Sequence, residues 1–402
     1  MLGNPRRVYL ETAWRHRKTS YIEGLVRNPP SGYRFFTIEG AESRGLDLLS
    51  KLKPLTETQP IINRLVPVPL IKSRLEAIRR IPSTNTLTYA LDHCILREVP
   101  WVVEFSFELP YVLAGSENHL RIFRSIFRRR LLARNCRKIL FQLSVGKDAF
   151  LQTFGSVFSS KTALVPRGAA IRPEIRRTGR DRVRILFVNS ANINTQSSFF
   201  MKGGPDVIES YMRLVRNYAN VELTFRSPVP ANYRQLLIRL PNVRLLERPV
   251  SAERLEYEWQ ESDIFLHPHY ITPSYAIIDA MSHGLPVVTT DTWGTSELVI
   301  DGKQGFVVHN PLAANFTDGA IFHQSDPTYF RSILRGYQEP VVKALVERLS
   351  RLVEHHALRE EMGHSSYTET TTGGHSMQRR NLSLAKQLDE LYPLVPENRG
   401  FS

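Results

Sequence analysis

The stretch 267–308 constrains this chain most. It reads HPHYITPSYAIIDAMSHGLPVVTTDTWGTSELVIDGKQGFVV. An apolar strand runs into a polar loop, a helix follows, and Gly284, Leu285 and Pro286 break it. A second apolar run then leads to a turn at Gly294, just before Glu297. This is the pattern of one βαβ unit, whose strands are parallel and covered by helices. Its polar residues fall at the carboxyl ends of the strands, where open α/β sheets bind ligands.

The flanking sequence extends the pattern. From Val183 onward, RVRILFVNS, VELTFRS, VRLLERPV and DIFLHPHY read as strands, and DVIESYMRLVRNY and AERLEYEWQESD as helices. Alternation at this spacing predicts a mostly parallel sheet with both faces covered. Upstream, a Pro break precedes an apolar strand at 101–105. Next, Ile122, Phe123, Ile126, Phe127 and Leu131 recur at helical spacing before the short strand CRKILFQL. SVGKDAFLQTFG reads as a helix and TALVPRGAAI as a strand with a turn. Nearer the N-terminus, VYLETAW and YRFFTI read as strands, and LVPVPLIKSRLEAIRR as an apolar segment running into a basic helix. Residues 172–181 are polar and basic with Pro and Gly, as in a domain linker. Beyond 308 the chain is expected to form a turn-rich segment, a helix pair, a loop at TETTTGGHS and a last short helix. The expected organisation is α/β with two Rossmann-like domains facing across a cleft. They would span 1–180 and 181–370, with a C-terminal helix in 371–402 packing back on the first.

At 402 residues more than one domain is expected. No apolar run approaches the roughly 20 residues that cross a bilayer. The N-terminal segment has basic residues but no apolar core of a secretory signal. Cys94 and Cys136 have no metal-binding spacing and are expected as buried thiols in a reducing cytoplasm. A net charge of +14 favours anionic partners: nucleic acid, anionic lipid or phosphorylated small molecules. No nucleic-acid-binding signature accompanies it, so nucleic acid is not expected. Arg128, Arg129 and Arg130 lie in an amphipathic helix, either a solvated basic face or a peripheral contact with an anionic membrane at its inner face.

Several residues could carry chemistry. Lys202, Gly203 and Gly204 precede a helix start, where backbone N–H groups and a lysine can hold a phosphate. The alternative is a glycine-containing helix entry with a solvated lysine. Thr272 and Ser274 follow a strand and either cap the next helix or meet a ligand. Asp279 lies within that helix, facing solvent or gripping ligand hydroxyls. Glu297 either completes the first turn of a short helix or contacts a ligand. His267 and His269 flank Pro268, but an i, i+2 pair with no third ligand does not make a metal site. No G-x-S-x-G nucleophile elbow occurs.

The 271–308 stretch with its upstream KGG turn resembles the retaining GT-B glycosyltransferases of the large glycosyl transferases group 1 family, the enzymes with an E-x7-E pattern. The likeness covers 183–363 and is most specific in DAMSHGLPVVTTDTWGTSELVIDGKQGFVV. A weaker likeness extends over 86–171. The resemblance implies transfer of a sugar from a nucleotide-sugar donor to a glycan, polysaccharide-precursor or lipid-linked acceptor, with retention and with neither metal nor cofactor. It implies that Lys202 contacts the donor diphosphate, that Gly203 belongs to the same loop, that Asp279 holds the ribose and that Glu297 takes the glutamate position after the glycine turn. The chain departs from the pattern at Ile271, where the first glutamate would stand, and at Thr272, Pro273 and Ser274, which replace Gly-Phe-Gly. Asn189 or Ser190 replaces an arginine, and Phe107 stands at the place of an acceptor-side histidine, leaving Glu104 and Glu108 as candidate catalytic carboxylates. The alternative is a catalytically silent nucleotide-sugar-binding or glycan-binding protein on the same fold.

Overall fold

The structure is a computed structural model that describes residues 4–12, 20–37, 86–106, 113–175, 177, 181–189, 196–324 and 326–392. The basic helix expected within 65–80, Phe107, Glu108 and the loop 190–195 lie outside these residues. The chain forms two compact units. The first comprises 1–168, 319–321 and 378–402, and the second comprises 169–318 and 322–377.

Unit 1 is built on a six-stranded parallel sheet of order β2-β1-β3-β4-β5-β6. Its strands are β1 Arg6–Thr12, β2 Tyr33–Phe36, β3 Leu87–Leu91, β4 Trp101–Phe105, β5 Cys136–Phe141 and β6 Thr162–Leu164. The central strands β3 and β4 are buried at every position. Covered on both faces, they need apolar runs rather than alternation, as LTYAL and WVVEF show. One face carries an aromatic cluster in which Phe150 lies 5.2, 5.0 and 5.1 Å from the rings of Phe141, Phe154 and Phe158. The helix Glu117–Leu132 is capped by Ser116, whose hydroxyl accepts from the His119 N–H, and it buries Leu120, Phe127 and Leu131. The helix Met377–Asp389 joins this unit through Asp389 to Arg6 (2.6 Å) and Tyr33 (2.7 Å), and Glu390 just beyond it reaches Lys138 (2.7 Å).

Unit 2 holds β7 Val183–Val188, β8 Val221–Arg226, β9 Val243–Leu246, β10 Ile264–His267, β11 Val287–Thr290 and β12 Gly305–Val308. They form a parallel sheet of order β12-β11-β10-β7-β8-β9. The chain starts at the middle strand, builds outward to β9, then crosses back to lay β10 on the other side of β7. That reversal is a topological switch point, and it opens a crevice at the carboxyl ends of β7 and β10. The fold is the expected α/β arrangement of two Rossmann-like sheets.

Three local features depart from the sequence reading, each with a physical cause. Arg172 and Arg177, from the run read as a linker, are fastened to unit 2: Arg177 donates to the carbonyls of Ser262, Trp259, His283 and Gly284, and Arg172 pairs with Glu256. TETTT is not a loop but the end of the helix His356–Thr371. Threonine is a mediocre helix former. Here the helix packs closely on another element: Gly363 sits where an added Cβ would lie 2.4 Å from the Gly284 carbonyl. Glu297 closes a single 3-10 turn, Thr295–Glu297, rather than starting an α-helix.

Gly305 shows how tightly β12 joins the sheet. It has φ +151°, and a Cβ there would stand 1.9 Å from the Val287 carbonyl oxygen. Gly305→Ala combines backbone strain with a backbone clash and is expected to cost at least about 1–3 kcal/mol, read as a lowered urea midpoint with an unchanged slope.

Candidate functional site

The crevice of unit 2 forms where two loops meet. After β7 the chain makes the helix Gln196–Met201, turns at Lys202 and Gly203, and starts the helix Gly204–Leu214. After β10 it runs through Pro268, His269 and Tyr270. Gly203 has φ +73°, and a Cβ on it would lie 2.0 Å from the Pro268 carbonyl oxygen. Both its conformation and its closeness demand glycine. The Tyr270 N–H donates to the Met201 carbonyl at 2.9 Å, tying the loops together. Lys202 is thereby held at 6% exposure beside fully buried His267.

Burial and then the Lys202 charge hold the His267 imidazole well below its ordinary range, so it is neutral. Its ring stacks on Phe265, 5.3 Å away at 16°. Neither of its ring nitrogens has a hydrogen-bond partner among the described residues. His269 is fully engaged instead. Nδ1 meets the His267 carbonyl at 3.1 Å and Thr289 Oγ1 at 3.2 Å, and Nε2 meets Thr295 Oγ1 at 3.0 Å. Thr290 and Thr292 donate to its carbonyl at 2.5 and 2.9 Å. These four threonines are fully buried and form a hydroxyl shelf under the loop. The described residues contain no group of three His, Cys, Asp or Glu side chains placed to hold a metal.

Asp206 locks the same corner from the first turn of the helix Gly204–Leu214. Its Oδ1 accepts from the Tyr270 hydroxyl and the Gln338 N–H, both at 2.8 Å, while Oδ2 has no partner among the described residues. Burial pushes its carboxyl up to about 7. Beside β7, Asn189 donates to Ser198 Oγ (3.1 Å) and Ser227 Oγ (3.0 Å). Arg226, buried at the end of β8, donates to the Asn189 carbonyl at 2.5 Å and makes no ion pair among the described residues. Burial lowers its pKa. Arg226 and Ser227 also line a small depression of about 10 Å³ with Leu246, Glu247 and Arg248.

The sequence candidates divide. Lys202 and Gly203 lie in the crevice with His267 and Pro268. Thr272 is buried, and its N–H donates to Gln324 Oε1 at 3.3 Å. Ser274 caps the helix Tyr275–Ser282, accepting from the Ala276 N–H at 3.2 Å. Asp279 is partly exposed on that helix. Burial pushes its carboxyl up to about 6, with the Arg172 guanidinium pulling it down and Glu256 pushing it further up. Its charged neighbours are thus Arg172 and Glu256 rather than Lys202. Glu297 is exposed, and its carbonyl meets His375 Nε2 at 3.2 Å. Asp206, Arg226 and the threonine shelf were missed. The available signals were the GGPD helix entry and the run TTDTWGT.

In unit 1, Glu104 is fully buried at the carboxyl end of β4. Its oxygens accept from the Tyr21 hydroxyl (2.5 Å), the Tyr89 hydroxyl and Gln142 Nε2 (2.7 Å). A general base must offer an oxygen to an acceptor, and this carboxylate is spent on three internal donors. Glu108 lies outside the described residues. A second cluster joins the ends of β1 and β3: Glu11 bonds His93 Nε2 at 3.1 Å and pairs with Arg97, while His93 Nδ1 faces the Leu91 carbonyl at 2.9 Å.

Two outcomes follow. Glu104→Ala strands three buried donors and is expected to cost about 3–5 kcal/mol, measured by chemical denaturation. Folded Asp206 keeps its proton to about 7, whereas the ordinary carboxyl value is 3.8. Between those values the folded state binds more protons, so its stability falls as pH rises through that window. Asp206→Asn removes this contribution, and its Tm is expected to fall less than the parent's between about pH 4 and pH 8.

Residues 183–322 match the profile of the family described as Glycosyl transferases group 1. Comparison with curated proteins finds no match. Among solved structures, sucrose-phosphate synthase from Thermosynechococcus elongatus is 13% identical with a TM-score of 0.59, covering 96% of this chain and 99% of that one. Anabaena HepE in complex with UDP is 14% identical with a TM-score of 0.58, covering 96% and 100%. The pneumococcal O-GlcNAc transferase GtfA, in complex with UDP and GlcNAc, is 10% identical with a TM-score of 0.55; the match covers 81% of this chain and 59% of that one, less than two thirds of its length. At these identities the structural likeness is one of fold. The chain has the GT-B glycosyltransferase fold with a glycosyl transferases group 1 segment at 183–322, and together these support a glycosyltransferase activity.

Proposed function

We propose that the chain transfers a sugar from a nucleoside-diphosphate sugar to a glycan, polysaccharide-precursor or lipid-linked acceptor, with retention and without a metal, and that unit 2 holds the donor. The observation that carries this reading is the Lys202–Gly203 turn held against Pro268 at the switch point. In such a reaction negative charge develops on the departing diphosphate. Cations and helix N-terminal N–H groups fixed before the reaction stabilise it without reorganising. Lys202 supplies one cation, the start of the helix Gly204–Leu214 supplies the N–H groups, and Arg226 supplies a second cation where the family's arginine is replaced by Asn189 or Ser190. Neutral His267 offers a ring nitrogen to the same ligand. Asp279 is assigned to the ribose hydroxyls and Glu297 to the donor sugar, with Thr272 and Ser274 shaping the loop between them. UDP is the nucleotide favoured, because HepE and GtfA are seen with it.

Ile271 at the place of the first pattern glutamate favours a second reading, a donor-binding protein without turnover. Hydrolysis of UDP-sugars by the purified chain separates the two, since any enzyme-dependent release of UDP excludes silence. For the donor site itself, Lys202→Ala removes a charge-assisted contact worth about 1.5–3 kcal/mol. UDP affinity by calorimetry is expected to fall roughly 10- to 100-fold. If the parent protein binds neither UDP nor any UDP-sugar, the donor reading is wrong.

A further inference from the structure

The helix Glu117–Leu132 of unit 1 presents an outward face that plays no part in the donor chemistry. Its inner side buries Leu120, Phe127 and Leu131. On its outer side Ile122 is 65% and Ile126 47% exposed. Four residues apart, they form one apolar stripe. Arg121, Arg124, Arg128 and Arg129 are exposed around that stripe. None of the four makes an ion pair among the described residues: Arg121 reaches Asn118 and Arg128 reaches the Phe154 carbonyl, each at 3.4 Å. Arg130 differs, pairing with Glu98 at 2.8 Å and bonding to the Arg97 carbonyl. Residues 117–167 hold 11 Lys and Arg against 2 Asp and Glu, a net +9 of the chain's +14.

A solvated basic face would keep the arginines but has no use for two exposed isoleucines on one stripe. A nucleic-acid face would neutralise the arginines and leave the isoleucines in water. An anionic bilayer satisfies both. Branched apolar side chains enter the boundary between headgroups and acyl chains, and arginines bury their stems while their guanidinium groups meet lipid phosphates. We propose that unit 1 docks on an anionic lipid bilayer through this face, with the helix Glu117–Leu132 lying in the membrane plane. No described helix is long and apolar enough to cross a membrane, so the contact is peripheral. The proposal is independent of the donor reading.

The full chain should co-sediment with phosphatidylserine–phosphatidylcholine vesicles far more than with phosphatidylcholine alone. Binding should weaken as salt is raised. Arg124→Glu with Arg129→Glu is expected to lower the vesicle partition coefficient by about tenfold or more. Ile122→Ser with Ile126→Ser is expected to lower it severalfold and to abolish the part that survives high salt. All four positions are exposed, so both variants should keep the parent Tm, which serves as the folding control. Equal binding to neutral and anionic vesicles, or vesicle binding unchanged in the isoleucine variant, overturns the proposal. Tighter binding to a single-stranded RNA than to vesicles, lost in the arginine variant alone, overturns it in favour of a nucleic-acid face.

Discussion

The site in unit 2 rests on one close approach, that of Gly203 to the carbonyl of Pro268. Any side chain at position 203 would meet that oxygen at 2.0 Å, so the two loops can touch only through a glycine. Their contact sets where Lys202 ends and where the helix Gly204–Leu214 begins. It also shapes the crevice that the switch point opens at the carboxyl ends of β7 and β10. Sheet order brings two strand ends together, and one missing Cβ lets their loops pack.

Around that contact the structure places polar groups that cannot move. The threonine shelf consumes both ring nitrogens and the carbonyl of His269. Asp206, through Tyr270 and Gln338, fixes the start of the helix. Such networks are costly when incomplete and rigid when satisfied. Here they are complete at His269 and incomplete at His267, whose ring is buried with both nitrogens unengaged among the described residues. The same corner thus combines a satisfied network with a buried imidazole whose hydrogen-bonding capacity is unspent among the described residues. Unit 1 treats its most buried carboxylate in the opposite way. Glu104 is closed off by two tyrosine hydroxyls and an amide, so its contribution is to hold strands rather than to touch an acceptor.

Periodicity and glycine placement made much of this legible from the residues alone. The 267–308 unit, the KGG turn and the parallel α/β layers all follow from local chemistry: apolar runs of strand length, helix breaks at Gly and Pro, and alternation of elements. The parts that escaped depend on where a side chain points once the sheet has formed. A glutamate inside WVVEF could face a ligand or a tyrosine pair. Arg226 ends an ordinary strand, and only the pairing of β8 with β7, Val188 opposite Arg226, sets it beside Asn189. TETTT reads as a loop until the close Gly363–Gly284 packing is known. The basic run at 172–181 has linker composition, yet Arg177 finds four carbonyls that only the folded unit assembles.

The ionisation of the crevice has a consistent direction. Arg226 is buried without an ion pair among the described residues, and Lys202 is nearly as enclosed. Burying cations costs folding free energy that an anion can return on binding. Burial pushes Asp206 up to about 7 and Asp279 up to about 6, so Asp206 in particular stays largely protonated until near neutrality. Protonated, Asp206 still accepts the Tyr270 and Gln338 hydrogen bonds that fix the loop. The same burial that makes Asp206 expensive to ionise therefore keeps its charge out of this corner below about pH 7.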